Sequence, residues 1–137
     1  MHIAPHDNRN LPIVDADHPL VPLNYYNIVK LKRGEAFDYA VPGYETCVVP
    51  ETGTVTVETS GMVFATIGNR GVDVWDGEPV GVYVSSGAET RISCDREAAE
   101  VFVGGLSQRR LVQYFQPAHA DQLHTIPRIL DMVAKFK

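Results

Sequence analysis

Residues 44–58 read YETCVVPETGTVTVE. Two β-type runs, residues 46–49 and 54–58, are joined by Pro50-Glu51-Thr52-Gly53. The first run is apolar almost throughout, the pattern of a strand buried on both faces. The second alternates, with Val55 and Val57 facing one way and Thr54, Thr56 and Glu58 the other. Gly53 supplies the positive φ that a short hairpin turn needs. The stretch predicts the central hairpin of a small β-barrel.

Working outward, residues 25–31 (YYNIVKL) read as a strand with Tyr26, Ile28 and Leu31 as core candidates. Phe37 and Tyr39 have the spacing of a short strand. Beyond Ser60-Gly61, Val63 and Ala65 share one face and Phe64 and Thr66 the other. Gly68-Asn69-Arg70-Gly71 and Asp76-Gly77-Glu78-Pro79 are turn signals that bracket Val72, Val74 and Trp75. Residues 80–84 (VGVYV) form a strand in which Gly81 marks a bulge or a close backbone approach. Ser85-Ser86-Gly87 turns the chain into residues 90–94. The last two strands are residues 100–104 and 110–115. Short strands at this spacing, with Gly, Pro and Asx turns between them, predict an all-β sandwich or barrel.

A polar arm, residues 1–21, precedes the barrel, residues 22–115. A linker and helix, residues 116–137, follow it. Residues 127–136 carry Ile129, Leu130, Val133 and Phe136 as one apolar stripe, with Thr125 as N-cap. A terminal amphipathic helix of this kind docks on its own barrel or on a partner. The arm is placed across a neighbouring sheet or a partner subunit.

A chain of 137 residues is one domain with room for a real core. The net charge of −5 excludes a basic nucleic-acid-binding surface. No segment approaches the roughly 20 apolar residues of a membrane span. Residues 1–20 lack the pattern of a secretory signal, so the expected location is cytoplasmic. Cys47 and Cys94 are expected to be two buried, reduced thiols. A reactive thiolate would need a cationic neighbour; Cys94 has Arg91 and Arg96 near it in sequence, and Cys47 has none. His2, His6 and His18 in the arm fit no fixed ligand spacing. His119 and His124 read as a solvated pair, because no third ligand is close.

The strand and glycine pattern resembles a cupin-type jelly-roll barrel. Gly34 and Gly53 have the separation of the glycines in the first cupin motif. The three metal-ligand positions between them fall on Ala40, Pro42 and Thr46. Glu45 is one residue out of register, which in a strand sends it to the other face. In the second motif Ser85-Ser86-Gly87 occupies the turn and the histidine position falls on Thr90. Residues 22–115 contain no histidine. No metal and no cofactor is therefore expected in the barrel, since metal binding needs imidazole or carboxylate donors there.

A closer resemblance rests on three features. The first is Thr52-Gly53 followed by Val55-Thr56-Val57. The second is Ile67-Gly68, Arg70 and the aromatic Trp75. The third is Pro79 followed by Val82-Tyr83-Val84-Ser85. Over roughly residues 44–105 the chain is similar to the N-terminal half of 5-deoxy-glucuronate isomerases, bicupin enzymes of inositol catabolism. That resemblance places the metal ligands in the C-terminal half of such enzymes, so no ligand or catalytic residue carries over to this chain.

The resulting expectation is a non-catalytic cupin that binds a sugar acid or serves assembly. The assembly expected is a homodimer with the arm or the C-terminal helix at its interface. The alternative is a sugar-acid isomerase, or one subunit of a split isomerase. Candidate ligand-binding residues at the barrel mouth are Glu45, Arg70, Tyr83, Glu89 and Arg91. Isomerisation would need a base and an electrophile among them.

Overall fold

A computed structural model describes residues 7–108. The expected strand 110–115, the helix 127–136 and His2, His6, His119 and His124 lie outside the described residues. Among the described residues there are eight strands: β1 (Asn24–Leu31), β2 (Ala36–Tyr39), β3 (Tyr44–Thr52), β4 (Val55–Thr59), β5 (Met62–Ile67), β6 (Val82–Val84), β7 (Thr90–Ser93) and β8 (Ala99–Ser107).

They form two four-stranded antiparallel sheets, β1-β8-β3-β6 and β2-β7-β4-β5. Successive strands change sheet at nearly every connection, which is the winding of a jelly roll. The expected hairpin of residues 44–58 is therefore a correction. β3 pairs with β8 and β6, β4 pairs with β5 and β7, and the two are not paired with each other. Gly53 does take a positive φ, +71°. The turn it makes carries the chain from one sheet to the other, and a Cβ there would lie 2.5 Å from the Ala98 carbonyl oxygen. The two-residue hairpin is β4–β5, whose Ser60 and Gly61 both have positive φ, 52° and 75°. Two successive positive values match the right-handed strand twist.

The interior is layered. Toward one end, Asn27, Val48, Val82 and Val103 of the first sheet face Val57, Ile92 and the partly buried Phe37 and Phe64 of the second. Val29, Val55 and Val101 come next, with Leu31, Cys94 and Ala99 at the far end. Val55 and Val57 point inward, as their alternation predicted. β3 is not buried on both faces: Tyr44, Thr46, Val48 and Pro50 are inside, while Glu45, Cys47 and Val49 are half-buried on the outer face.

β1 is also one residue out of the expected register. Tyr25, Asn27, Val29 and Leu31 face the core, and Tyr26 and Ile28 lie outside. Asn27 is tolerated there because the arm satisfies it. Its amide donates to the Asn10 carbonyl at 2.9 Å and accepts from Asn8 Nδ2 at 2.8 Å. The arm also bridges the open edge of β1, with Val14 paired to Tyr26. Tyr44 holds its base, accepting from Asp17 N at 2.8 Å and donating to the Pro22 carbonyl at 2.9 Å. The described part of the arm thus caps its own sheet, and an edge strand left bare would invite pairing.

Candidate functional site

A layer of hydroxyls closes one end of the barrel. Tyr39, at the end of β2, reaches across to the opposite sheet, where its hydroxyl lies 2.8 Å from Thr46 Oγ1. Thr90 donates to Thr59 Oγ1 at 3.0 Å and lies 3.2 Å from the Ala88 carbonyl. Thr46, Thr59 and Thr90 are buried. Burial pushes the Tyr39 phenol up to about 12, against the smaller opposing effect of its contacts with Thr46 and Thr90. Burial likewise raises Tyr25, which faces the same layer.

This layer is where the sequence motif places metal ligands. Of its four positions, Thr46 and Thr90 turn inward, while Ala40 and Pro42 are exposed in the connection after β2. A methyl group, a prolyl ring and two neutral hydroxyls do not make a metal site. Among the described residues no three His, Cys, Asp or Glu side chains converge. His18, the histidine among them, sits in the arm, where its ring accepts from Leu20 N at 3.3 Å. The residues present do not fit a cupin metal.

Outside the layer, an open groove of about 600 Å³ is lined by Tyr39, Thr59, Thr90, Glu58, Glu89 and Arg91, among others. Arg91 Nη1 lies 2.7 Å and 2.9 Å from the two Asp38 carboxylate oxygens. Its charge is already met, and Glu58 stands opposite it on β4.

The five candidate residues fall in three places. Glu89 and Arg91 line the mouth groove. Glu45 and Tyr83 share the outer face of the first sheet, where the hydrogen bond with the Glu45 carboxylate pushes the Tyr83 phenol up. Glu45 also accepts from Gln108 Nε2. Arg70 belongs to the long β5–β6 connection, donating to Glu51 at 2.8 Å and to the Gly77 carbonyl at 3.3 Å. Reasoning from the sequence missed Tyr39, Thr46, Thr59 and Thr90 as a connected hydroxyl layer. The signal was present in the motif spacing, which set Thr46 and Thr90 in ligand positions.

The cysteines are unpaired. Cys94 is buried, and its thiol donates to the Glu97 carbonyl at 2.6 Å rather than meeting a cation. Cys47 differs from the buried thiol expected: it is half-buried on the outer face, and burial raises its pKa.

Comparison with known proteins agrees with the winding of the strands. Solved structures of similar fold include an IolB-like protein from Salmonella typhimurium LT2, at TM-score 0.56 and 19% identity over 62% of this chain and 32% of that one. A cupin protein from Bacteroides fragilis aligns at TM-score 0.54 and 10% identity, covering 79% of this chain and 82% of that one. The barrel is a cupin fold. Among curated relatives, a 5-deoxy-glucuronate isomerase of Listeria innocua serovar 6a is 32% identical over 83 residues, 58% of this chain and 30% of the relative. One from Shouchella clausii is 29% identical over 100 residues, 71% of this chain and 36% of the relative. The chain thus spans about a third of the length of these relatives. The KduI/IolB family model matches residues 2–124, nearly the whole chain, and the protein belongs to that family.

Proposed function

We propose that this chain is a non-catalytic cupin module of sugar-acid metabolism, cytoplasmic and acting through assembly as a homodimer. The observation that carries the non-catalytic reading is the donor set at the barrel mouth. The metal positions hold Ala40, Pro42, Thr46 and Thr90, and the two threonines spend their hydroxyls on Tyr39 and Thr59. Below them the valine and isoleucine layers fill the barrel. An isomerase of this class needs a base and an electrophile side by side. Glu89 and Arg91 stand on an open groove at the surface, where the guanidinium pairs with Asp38 and, among the described residues, no three metal-donor side chains converge.

Assembly is supported by the β5–β6 connection. It carries Val72 and Trp75 at 95% and 89% exposure. Yet the loop is fixed: Asp76 and Asp73 accept backbone hydrogen bonds within it, and the Arg70–Glu51 ion pair ties it to β3. Exposed aromatic and aliphatic side chains on a fixed loop suit an interface, where Trp anchors are enriched. Sedimentation equilibrium of the full chain tests this. A dimer that Trp75→Ala returns to monomer supports the proposal; a monomer at all concentrations overturns it.

A second reading, a subunit of a split sugar-acid isomerase in inositol catabolism, is favoured by family membership and by the third of the relatives' length that the chain spans. In that case a separate chain supplies the metal-binding cupin. Ketose–aldose turnover by this chain alone would overturn the non-catalytic reading. Turnover appearing only on addition of a second cupin chain would favour the split enzyme. The sugar-acid ligand itself would lie in the mouth groove beside Tyr39, Thr90 and Arg91, competing with Asp38 for the guanidinium.

A further inference from the structure

The outer face of the first sheet carries an apolar trough that the proposed function does not use. Strand pairing sets its side chains in rows. Tyr26, Gly104, Cys47 and Tyr83 form one row across β1, β8, β3 and β6. Ile28, Phe102 and Val49 form the row on one side, and Asn24, Leu106 and Glu45 the row on the other. The middle of the central row is small, so the face is concave, with Tyr26 and Tyr83 as walls. The Phe102 ring folds over Gly104 and packs against Tyr26, ring centroids 5.1 Å apart. The trough is an open groove of about 670 Å³, bounded on the β1 side by Val14 and Val21 of the arm. Tyr83 and Leu106 remain 61% and 60% exposed.

We propose that this trough is the seat of the chain's own C-terminal segment, residues 127–136. Four observations favour that occupant. The described chain leaves β8 at the trough: Gln108 N donates to the Gly43 carbonyl at 2.9 Å, and its side-chain amide donates to Glu45 at the trough's end. Residues 109–126 can then span up to on the order of 60 Å, ample to return over the sheet. Four strands spaced about 4.8 Å apart put Tyr26 and Tyr83 roughly 14 Å from each other, wide enough for one helix about 10 Å across. Ile129, Leu130, Val133 and Phe136 give the segment a single apolar stripe to bury, and its Arg128 and Lys135 outnumber Asp131, a balance that suits the Glu45 carboxylate at the trough's end.

Cys47 on the trough floor reports the seat directly. Val133 lies within the apolar stripe, and Asp131 lies on the opposite side of the same helical projection. In the full-length protein, Val133→Cys should form an intramolecular disulfide with Cys47 under mild oxidation, at a rate independent of protein concentration. Asp131→Cys should not. Cys47 should also react with a small methanethiosulfonate about tenfold faster in the I129E/V133E chain than in the unaltered one. Peptide mapping assigns the label, with buried Cys94 as internal reference for folding. Equal cross-linking from positions 131 and 133, or unchanged Cys47 reactivity, would overturn the proposal. A concentration-dependent disulfide between two chains would overturn it in favour of a second copy as the occupant.

Discussion

The Tyr39 hydroxyl, from one sheet, and Thr46 Oγ1, from the other, stand 2.8 Å apart at the barrel mouth. That contact occupies a position where the cupin motif would have a ligand donor, and it ties the two sheets together. Breaking it leaves a buried hydroxyl unmatched. Tyr39→Phe and Thr46→Val should each destabilise the protein by about 1–3 kcal/mol. Urea denaturation of the single and double variants should show a coupling of about 1 kcal/mol, because removing both partners leaves no orphan.

The same phenol makes stability depend on alkaline pH. Its folded value, about 12, lies above the ordinary phenol value of 10.0. Between those values the unfolded chain loses the proton and the folded chain keeps it, so stability falls as pH rises through that window and is fully present below it. The decline due to Tyr39 should approach roughly 2 kcal/mol. Burial of Tyr25 acts in the same direction. Tyr39→Phe should flatten most of the slope, which denaturation midpoints measured across the window would check.

Two glycines of similar φ should differ sharply on substitution. Gly53 has φ +71°, and an added Cβ would meet the Ala98 carbonyl oxygen at 2.5 Å. Gly61 has φ +75° with nothing within 4 Å of the added atom. Alanine at Gly61 should lose about 1 kcal/mol to backbone strain alone. Alanine at Gly53 should lose several times more, because backbone at the crossing between sheets has to move. Thermal melts of the two variants compare them directly.

The contrast shows what the sequence made legible. The all-β class, the inward pair Val55 and Val57, and the positive φ of Gly53 all follow from alternation and turn chemistry. Whether Gly53 ends a hairpin or a crossing does not, because both need the same local conformation and differ only in which distant strand is paired. The register of β1 was hidden for a related reason. Tyr25, Tyr26, Ile28 and Val29 offer apolar residues to both faces, and Asn27 looks like an outward residue until Asn8 and Asn10 are known to satisfy it. The scatter of Glu45, Arg70, Tyr83, Glu89 and Arg91 over three places is likewise a matter of long-range pairing.

Trp75 is the chain's only tryptophan and stands 89% exposed. If the β5–β6 connection forms the dimer contact, its emission should be blue-shifted and protected from acrylamide at high protein concentration. Dilution should red-shift it and expose it to quencher with the same midpoint as dimer dissociation. Arg70→Ala, which frees the loop from Glu51, should move that midpoint to higher concentration.

The central claim is that this cupin barrel holds no catalytic metal because hydroxyl and apolar side chains stand in the ligand positions. The most direct test is metal analysis of the full-length protein after exposure to manganese, iron, cobalt and zinc ions and exhaustive dialysis. The expected result is metal far below one ion per chain, unchanged by Thr46→Val or Thr90→Val. One tightly held ion per chain, lost on substitution of Thr46 or Thr90, would contradict it.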